Sequence, residues 1–364
     1  VMSKLSEECG AINLSQGFPD FPISEDLIER VRFYMRSGHN QYAPMTGAQP
    51  LREAIVKKVE DLYSIRYDPE KEVNTTAGAT QGIYTAIQSV IHRGDEVIVF
   101  EPAYDSYVPS IELAGGVPVF VELHPPKFAI NWETVRKAIS PRTRMIIINT
   151  PHNPTGSVLT PDDMAQLQSI VDGTDIIILS DEVYEHITFD EVRHESVFRY
   201  PRLAERSFVL FSFGKTFHAT GWKIGYCMAP ENLMAEFRSV HQFLVYCINT
   251  PIQLALSDFL KDRNNYLEIP AFYQEKRDLF CELIKDSRFR FTPSSGSYFQ
   301  IVDYSQITDE KDTDFSVRMT KEYGVASIPV SVFYDKPVYD KVLRFCFAKK
   351  DETLRKAAEI LCRI

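Results

Sequence analysis

Met145-Ile146-Ile147-Ile148-Asn149-Thr150-Pro151-His152-Asn153-Pro154-Thr155-Gly156 is the stretch that decides the fold. Four apolar residues in a row show no alternation, so this strand is buried on both faces. A loop stiffened by two prolines follows at once. Working outward, β-rich runs recur at 73–77, 97–100, 117–121, 176–180, 208–212 and 224–228. Helical patterns, such as 80–92 and 161–172, separate most of them. Strand and helix in alternation predict an α/β protein, with a mostly parallel seven-stranded sheet flanked by helices. The seventh run follows the sixth after only about a dozen residues, so antiparallel pairing is open to it.

Beyond this region the pattern changes. One long helical stretch is expected from Asn232 to Asp262, and another helix from Tyr266 to Lys285. Strands at 297–303 and 342–348 around a helix near 314–323 make a smaller α+β domain. Earlier in the chain, Ser24-Glu25-Asp26 opens a short helix to about Ser37, and 49–63 reads as an amphipathic helix. The expected division is an N-terminal arm with part of the small domain (1–35), a large domain (36–264) and a small C-terminal domain (265–364).

The chain has 364 residues, 44% hydrophobic and 25% charged, which is globular composition. Its formal net charge of −10 argues against a nucleic-acid partner, because a phosphate backbone needs a basic stripe. A small anion needs only local donors. The six cysteines form no CxxC pair, so no metal knuckle is spelled and a reduced setting is expected. Residues 1–10 carry charges and no long apolar run, so neither a signal peptide nor a membrane partner is expected. The expected location is the cytoplasm.

In doubly wound sheets ligands bind beyond the carboxyl ends of the strands. After the first strand comes Gly78-Ala79-Thr80, opening a helix whose free amides suit a phosphate; an ordinary turn reads the same way. After the second comes Tyr104, free to stack on a flat ring or to be a surface aromatic. After the fourth, Asn153 sits between two prolines, and the Asn153–Pro154 bond is expected to be cis. After the fifth comes Asp181, which calls for a partner: a structural salt bridge or a cationic heterocycle. After the sixth come Ser212 and Gly214-Lys215-Thr216, with Lys223 eight residues beyond Lys215. A P-loop would need glycine at position 209, where valine stands, and no GxGxxG follows any strand. A lysine amine forms a Schiff base with an aldehyde cofactor. Pyridoxal 5′-phosphate needs such a lysine, an acid for its ring nitrogen and a phosphate cup. Lys215, Asp181, and the Gly78-Ala79-Thr80 turn with Ser212 and Lys223 supply all three.

The run SFGKTFHATGWKIGY at 212–226 resembles the cofactor-lysine motif of the class I, fold type I aminotransferases. So do NLSQGFPDF (13–21), NQYAPMTGAQPLREA (40–54), NTPHNPTG (149–156), SDEVYEHI (180–187) and LRFCFAK (343–349), in the family's order along nearly the whole chain. The methionine aminotransferases and the kynurenine/glutamine aminotransferases are the most similar branches. The resemblance implies transamination of an L-amino acid (methionine, aromatic or glutamine-like) to its 2-oxo acid by ping-pong turnover. A carbon–sulfur β-lyase is the alternative on the same scaffold. Lys215 would be the Schiff-base lysine and would carry the proton between the substrate Cα and the cofactor C4′. Asp181 would keep the ring nitrogen protonated. Asn153 and Tyr184 would bond the phenolic oxygen, and Tyr104 would stack on the ring. Gly78, Ala79, Thr80, Ser212 and Lys223 would hold the phosphate. Tyr42 would reach the cofactor of a second subunit, which implies a homodimer with shared sites. Arg344 would clamp the substrate carboxylate, with Gly17 beside it. Lys223 stands where aspartate aminotransferases use arginine. No second arginine for a dicarboxylate is evident, and Phe18, Tyr42 and Tyr107 suggest an aromatic-lined substrate pocket instead.

Overall fold

The computed structural model describes residues 2–364. The first strand, β1 (Ile12–Asn13), belongs to the arm. Seven strands then form one sheet: β2 (Val73–Thr76), β3 (Glu96–Glu101), β4 (Val117–Glu122), β5 (Thr143–Asn149), β6 (Ile177–Asp181), β7 (Ser207–Ser212) and β8 (Gly225–Met228). Their order is β2-β8-β7-β6-β5-β3-β4. All neighbours are parallel except β8, which runs antiparallel to both β2 and β7.

Side chains on a strand alternate between faces, and here each face has its own core. Ile146, Ile148 and Ile178 pack into the core on one face. Met145, Ile147, Ile177 and Leu179 pack into the core on the other. That double burial is why these strands read as unbroken apolar runs.

A third core gathers the C-terminal elements, a three-stranded sheet in the order β11-β12-β9 among them. These strands are β9 (Phe299–Asp303), β11 (Ile328–Pro329) and β12 (Val342–Cys346); β10 (Val325–Ala326) pairs instead with β1 of the arm. Leu14 of the arm and Tyr184, Ile187 and Phe189 of the turn after β6 are buried in this third core. The helix Glu25–Arg36 instead buries Leu27 and Val31 in the core of the large sheet. The expected helix over 232–262 is two helices, Glu231–Leu244 and Thr250–Phe259. The break is local chemistry: Asn249 accepts the Ile252 amide as an N-cap and Pro251 sits in the first turn. The arm also holds a short helix, Met2–Glu8, that the patterning did not reveal. Asn153–Pro154 is cis, as expected.

The turn carrying Tyr184 is anchored by a buried ion pair. Lys58, on the helix Gln49–Tyr63, bonds Glu185 and lies 3.1 Å from the Tyr226 hydroxyl. Tyr63 donates to the other Glu185 oxygen at 3.0 Å. Burial opposes charge on Glu185, but Lys58 and His186 outweigh it and hold the carboxyl below its ordinary range. Breaking such a pair leaves an uncompensated buried charge, whereas replacing both partners does not. Lys58→Met should therefore destabilise the protein by about 3–5 kcal/mol. The Lys58→Met/Glu185→Met double variant should recover most of that loss in urea unfolding; an equal or larger loss would contradict this account.

Candidate active site

Gly225, the first residue of β8, pairs with Thr76 on one side and Ser212 on the other. Because β8 is reversed, its start lies at the carboxyl edge of its neighbours. Lys223 thus lands between the ends of β2 and β7. Gly78 has φ +77°, and a Cβ there would come within 3.3 Å of the Lys223 ammonium. A Cβ on Gly225 would strike the Phe211 carbonyl and lie 3.2 Å from the Ala79 amide. Glycine at both positions lets the turn, the lysine and the helix Ala79–Val90 close on one another. The first amides of that helix have no intrahelical partner, and its dipole favours an anion. The Thr80 hydroxyl is 3.1 Å from that of Tyr104. Gly78, Ala79, Thr80, Tyr104, Ser212 and Lys223 line a single cavity that also contains Asn153, Asp181, Tyr184 and Lys215.

Asp181 closes β6 and is buried. Tyr107 donates to it at 2.6 Å and the Val183 amide at 3.3 Å. Burial pushes its carboxyl up to about 6, although Tyr107, Val183 and Lys215 all favour the anion. A cation facing Asp181 would relieve that strain. Lys215 sits on the short helix Phe213–Thr216. Its Nζ donates to the Gly17 carbonyl at 3.1 Å and lies 2.9 Å from the Tyr298 hydroxyl. Burial lowers its pKa to about 8, and Arg344 and Lys223 add to the effect.

A second, adjoining cavity contains Arg344, Gly17, Phe299 and Phe333. Tyr104, Asn153, Tyr184 and Lys215 line both cavities. Arg344, on β12, donates to Asn153 Oδ1 at 2.8 Å and to the Ser15 carbonyl at 2.9 Å. Its guanidinium lies 4.0 Å from the centre of the Phe299 ring. Its Nε is buried with no partner, and each Nη spends only one of its two N–H bonds, so three of the five guanidinium donors are uncommitted. With Oδ1 engaged, the NH2 end of Asn153 is the one left to donate.

The donor set fits a phosphorylated, cationic heteroaromatic aldehyde: a phosphate cup, a carboxylate needing a cation, and an amine with a lowered pKa. Among the described residues no cluster of His, Cys, Asp or Glu could hold a metal. The model of the family described as aminotransferase class I and II matches residues 10–361. The chain belongs to the class I and II aminotransferases. It is 48% identical to methionine aminotransferase from Escherichia coli, over 99% of this chain and 94% of that one. It is 32% identical to kynurenine–oxoglutarate transaminase 1 from Homo sapiens, over 98% and 93%. A crystal structure of an Escherichia coli protein with methionine aminotransferase function superposes with a TM-score of 0.98, covering 100% of this chain and 96% of that one at 48% identity. Members of the family use pyridoxal 5′-phosphate, and this aminotransferase is a pyridoxal-phosphate-dependent transaminase. When bound, that cofactor supplies an electron-withdrawing ring that stabilises negative charge at the substrate Cα.

The structure does not bring every expected residue into the two cavities. Phe18 is 41% exposed; its carbonyl accepts from Lys349 at 2.8 Å and its ring lies under the same ammonium. Tyr42 is 83% exposed and packs against Tyr246, away from both cavities of this chain. Tyr107, expected to line a substrate pocket, lies behind Asp181 as its hydrogen-bond donor. Tyr298 went unnoticed in the sequence, since one tyrosine at the start of a distant strand carries no local sign of a lysine partner. Asn149, whose Oδ1 accepts the Asn153 amide at 2.8 Å, was equally silent.

The raised Asp181 carboxyl has a consequence for stability. A carboxyl whose folded pKa is raised favours folding most below its unfolded value of 3.8, and that contribution is lost as pH rises through about 6. At pH 7.5, cofactor-free Asp181→Asn should therefore be more stable than cofactor-free wild type, by about 3 kcal/mol at most. The difference should shrink towards pH 4, and the variant should hold pyridoxal phosphate more weakly. Thermal unfolding at the two pH values checks this; a less stable variant at pH 7.5 would refute it.

Proposed function

We propose that this aminotransferase converts an uncharged L-amino acid, methionine foremost and aromatic or glutamine-like donors with it, to the 2-oxo acid. The amino group then passes to a second 2-oxo acid in ping-pong turnover. The observation that carries the reading is the pair of cavities joined by Tyr104, Asn153, Tyr184 and Lys215. One suits the cofactor and the other suits a substrate, and both open on the same amine.

Gly78, Ala79, Thr80, Ser212 and Lys223 would hold the phosphate of the cofactor, and Tyr104 would lie against its ring. Asp181 would pair with the ring nitrogen, while Asn153 and Tyr184 would donate to the phenolic oxygen. Lys215 would anchor the cofactor, and its Nζ would hold the α-proton of the donor between removal and return. Arg344 would grip the α-carboxylate through its free donors, with the Gly17 backbone alongside. The rest of the second cavity is largely apolar: Met2, Val317, Ile328, Val332 and Phe333. Arg344 is its one arginine. That lining supports a neutral side chain over a dicarboxylate, and the methionine and kynurenine transaminases among its relatives point the same way.

A homodimer belongs to the same proposal. Phe243, Tyr42 and Tyr246 leave a large apolar area exposed, with Tyr42 free to reach the cofactor of a second copy. The six free cysteines support a reducing, cytoplasmic setting. Among the described residues no helix is long and apolar enough to cross a membrane. The separate C-terminal core supports a small domain from about residue 265, joined by the arm as far as the helix Glu25–Arg36.

Borohydride reduction and peptide mapping should place the phosphopyridoxyl label on Lys215, and a label elsewhere overturns the assignment. Donor profiling should favour methionine over aspartate and require a 2-oxo acid; release of ammonia without one would mean elimination instead. Arg344→Lys loses the planar fork and should raise KM for donor and acceptor about tenfold or more, with less effect on kcat. Sedimentation at assay concentration should show a dimer, and a fully active monomer would refute shared sites.

A further inference from the structure

Tyr298 is fully buried immediately before β9, and nothing in the roles above accounts for its hydroxyl. That hydroxyl donates to the Gly17 carbonyl at 2.6 Å. A carbonyl only accepts, so the phenolic proton is committed to Gly17. Towards Lys215, 2.9 Å away, the Tyr298 oxygen is therefore an acceptor. The Gly17 carbonyl is the second acceptor of the same amine, at 3.1 Å. Among the described residues no third acceptor bonds Lys215.

The valence count matters. A neutral amine has two N–H bonds and one lone pair, whereas an ammonium has three N–H bonds. Two acceptors satisfy the neutral form and leave its lone pair pointing away from Gly17 and Tyr298. We infer that Tyr298 is the positioning residue of Lys215: with the Gly17 carbonyl it holds both N–H bonds of the neutral amine and turns the lone pair to the cavity. This rests on the reading of Lys215 as the cofactor lysine.

Two further observations support it. Burial lowers the Lys215 pKa to about 8, so the neutral form is accessible near neutral pH. The Tyr298 ring is also held fast, with Phe299 4.9 Å, Tyr184 5.1 Å and Tyr273 5.8 Å away between ring centres. Ser297, just before it, has φ +57°, a left-handed conformation that non-glycine residues seldom adopt. Such strain persists where the surrounding structure imposes it, often beside a functional group.

Tyr298→Phe removes the hydroxyl and keeps the ring. In the test, cofactor-free protein is mixed with pyridoxal phosphate and attachment is followed by absorbance. The Lys215 lone pair bonds the aldehyde carbon, the nitrogen gives up its protons, and the aldehyde oxygen leaves as water. In wild type the rate should rise with pH and level off above about 8. In Tyr298→Phe it should fall about tenfold on that plateau, the order expected for one lost positioning hydrogen bond. kcat should fall similarly with KM for the donor unchanged, and the melting temperature should hold. Tyr298→Leu separates ring from hydroxyl. Equal slowing in both variants supports the inference; slowing in the leucine variant alone shows that packing matters and overturns it. Wild-type capture and kcat in Tyr298→Phe would overturn it too, while leaving the cofactor reading intact. Failure of wild type to label at Lys215 would overturn both.

Discussion

Gly225 lies between Thr76 and Ser212, bonded to neighbours on both sides. Six strands run one way and β8 runs the other, so a strand beginning meets two strand endings. A parallel β8 would carry Lys223 to the opposite edge of the sheet. The double pairing sets Lys223 against Gly78 and brings the Ala79–Val90 helix to the same place. It also fixes the level of Ser212, three residues before Lys215. The anion-suited turn and the placing of the two lysines thus follow from one reversed strand.

Much of this was legible because the relevant residues lie within a few positions of a strand end. Gly78, Tyr104, Asn153, Asp181 and Lys215 follow runs whose apolar pattern marks them as strands, and the α/β rule then puts them along one edge. Contacts that cross between elements left no such trace. Tyr107 is three residues from Tyr104, but it opens a helix and its partner Asp181 closes β6, 74 residues away. Arg344 reaches Asn153 from β12 across a sequence separation of 191 residues. Its place in the site came from resemblance to a family, not from its neighbours in the chain. The helix break at Asn249 and Pro251 is a different kind of miss. Its cap and proline are visible in the sequence, and the apolar pattern on either side obscured them.

The site also joins two parts of the molecule. Lys215, Asp181 and Lys223 are set by the large sheet, while Arg344 and Tyr298 come from the C-terminal elements and Gly17 from the arm. Asn153 bridges them: its backbone is fixed by Asn149, and its side-chain oxygen is held by Arg344. The C-terminal core therefore sets Arg344 and Tyr298 together, and through them it touches the side chain of Asn153 and the amine of Lys215.

The charge pattern of the two cavities runs against that of the chain. The protein carries a formal net charge of −10, yet Lys215, Lys223 and Arg344 converge here, with Asp181 and Asp105 the acids of the lining. Lys223 is spaced from Arg344 by the shared residues, so two anionic groups can bind at once without competing for one cation. On the proposed function these would be the cofactor phosphate at one end and the substrate carboxylate at the other. Asp181, buried beneath, would then answer the positive charge of the cofactor ring. With both anions and that cation in place, Lys223, Arg344 and Asp181 would each face a counter-charge, and Lys215 is the amine left free to be neutral.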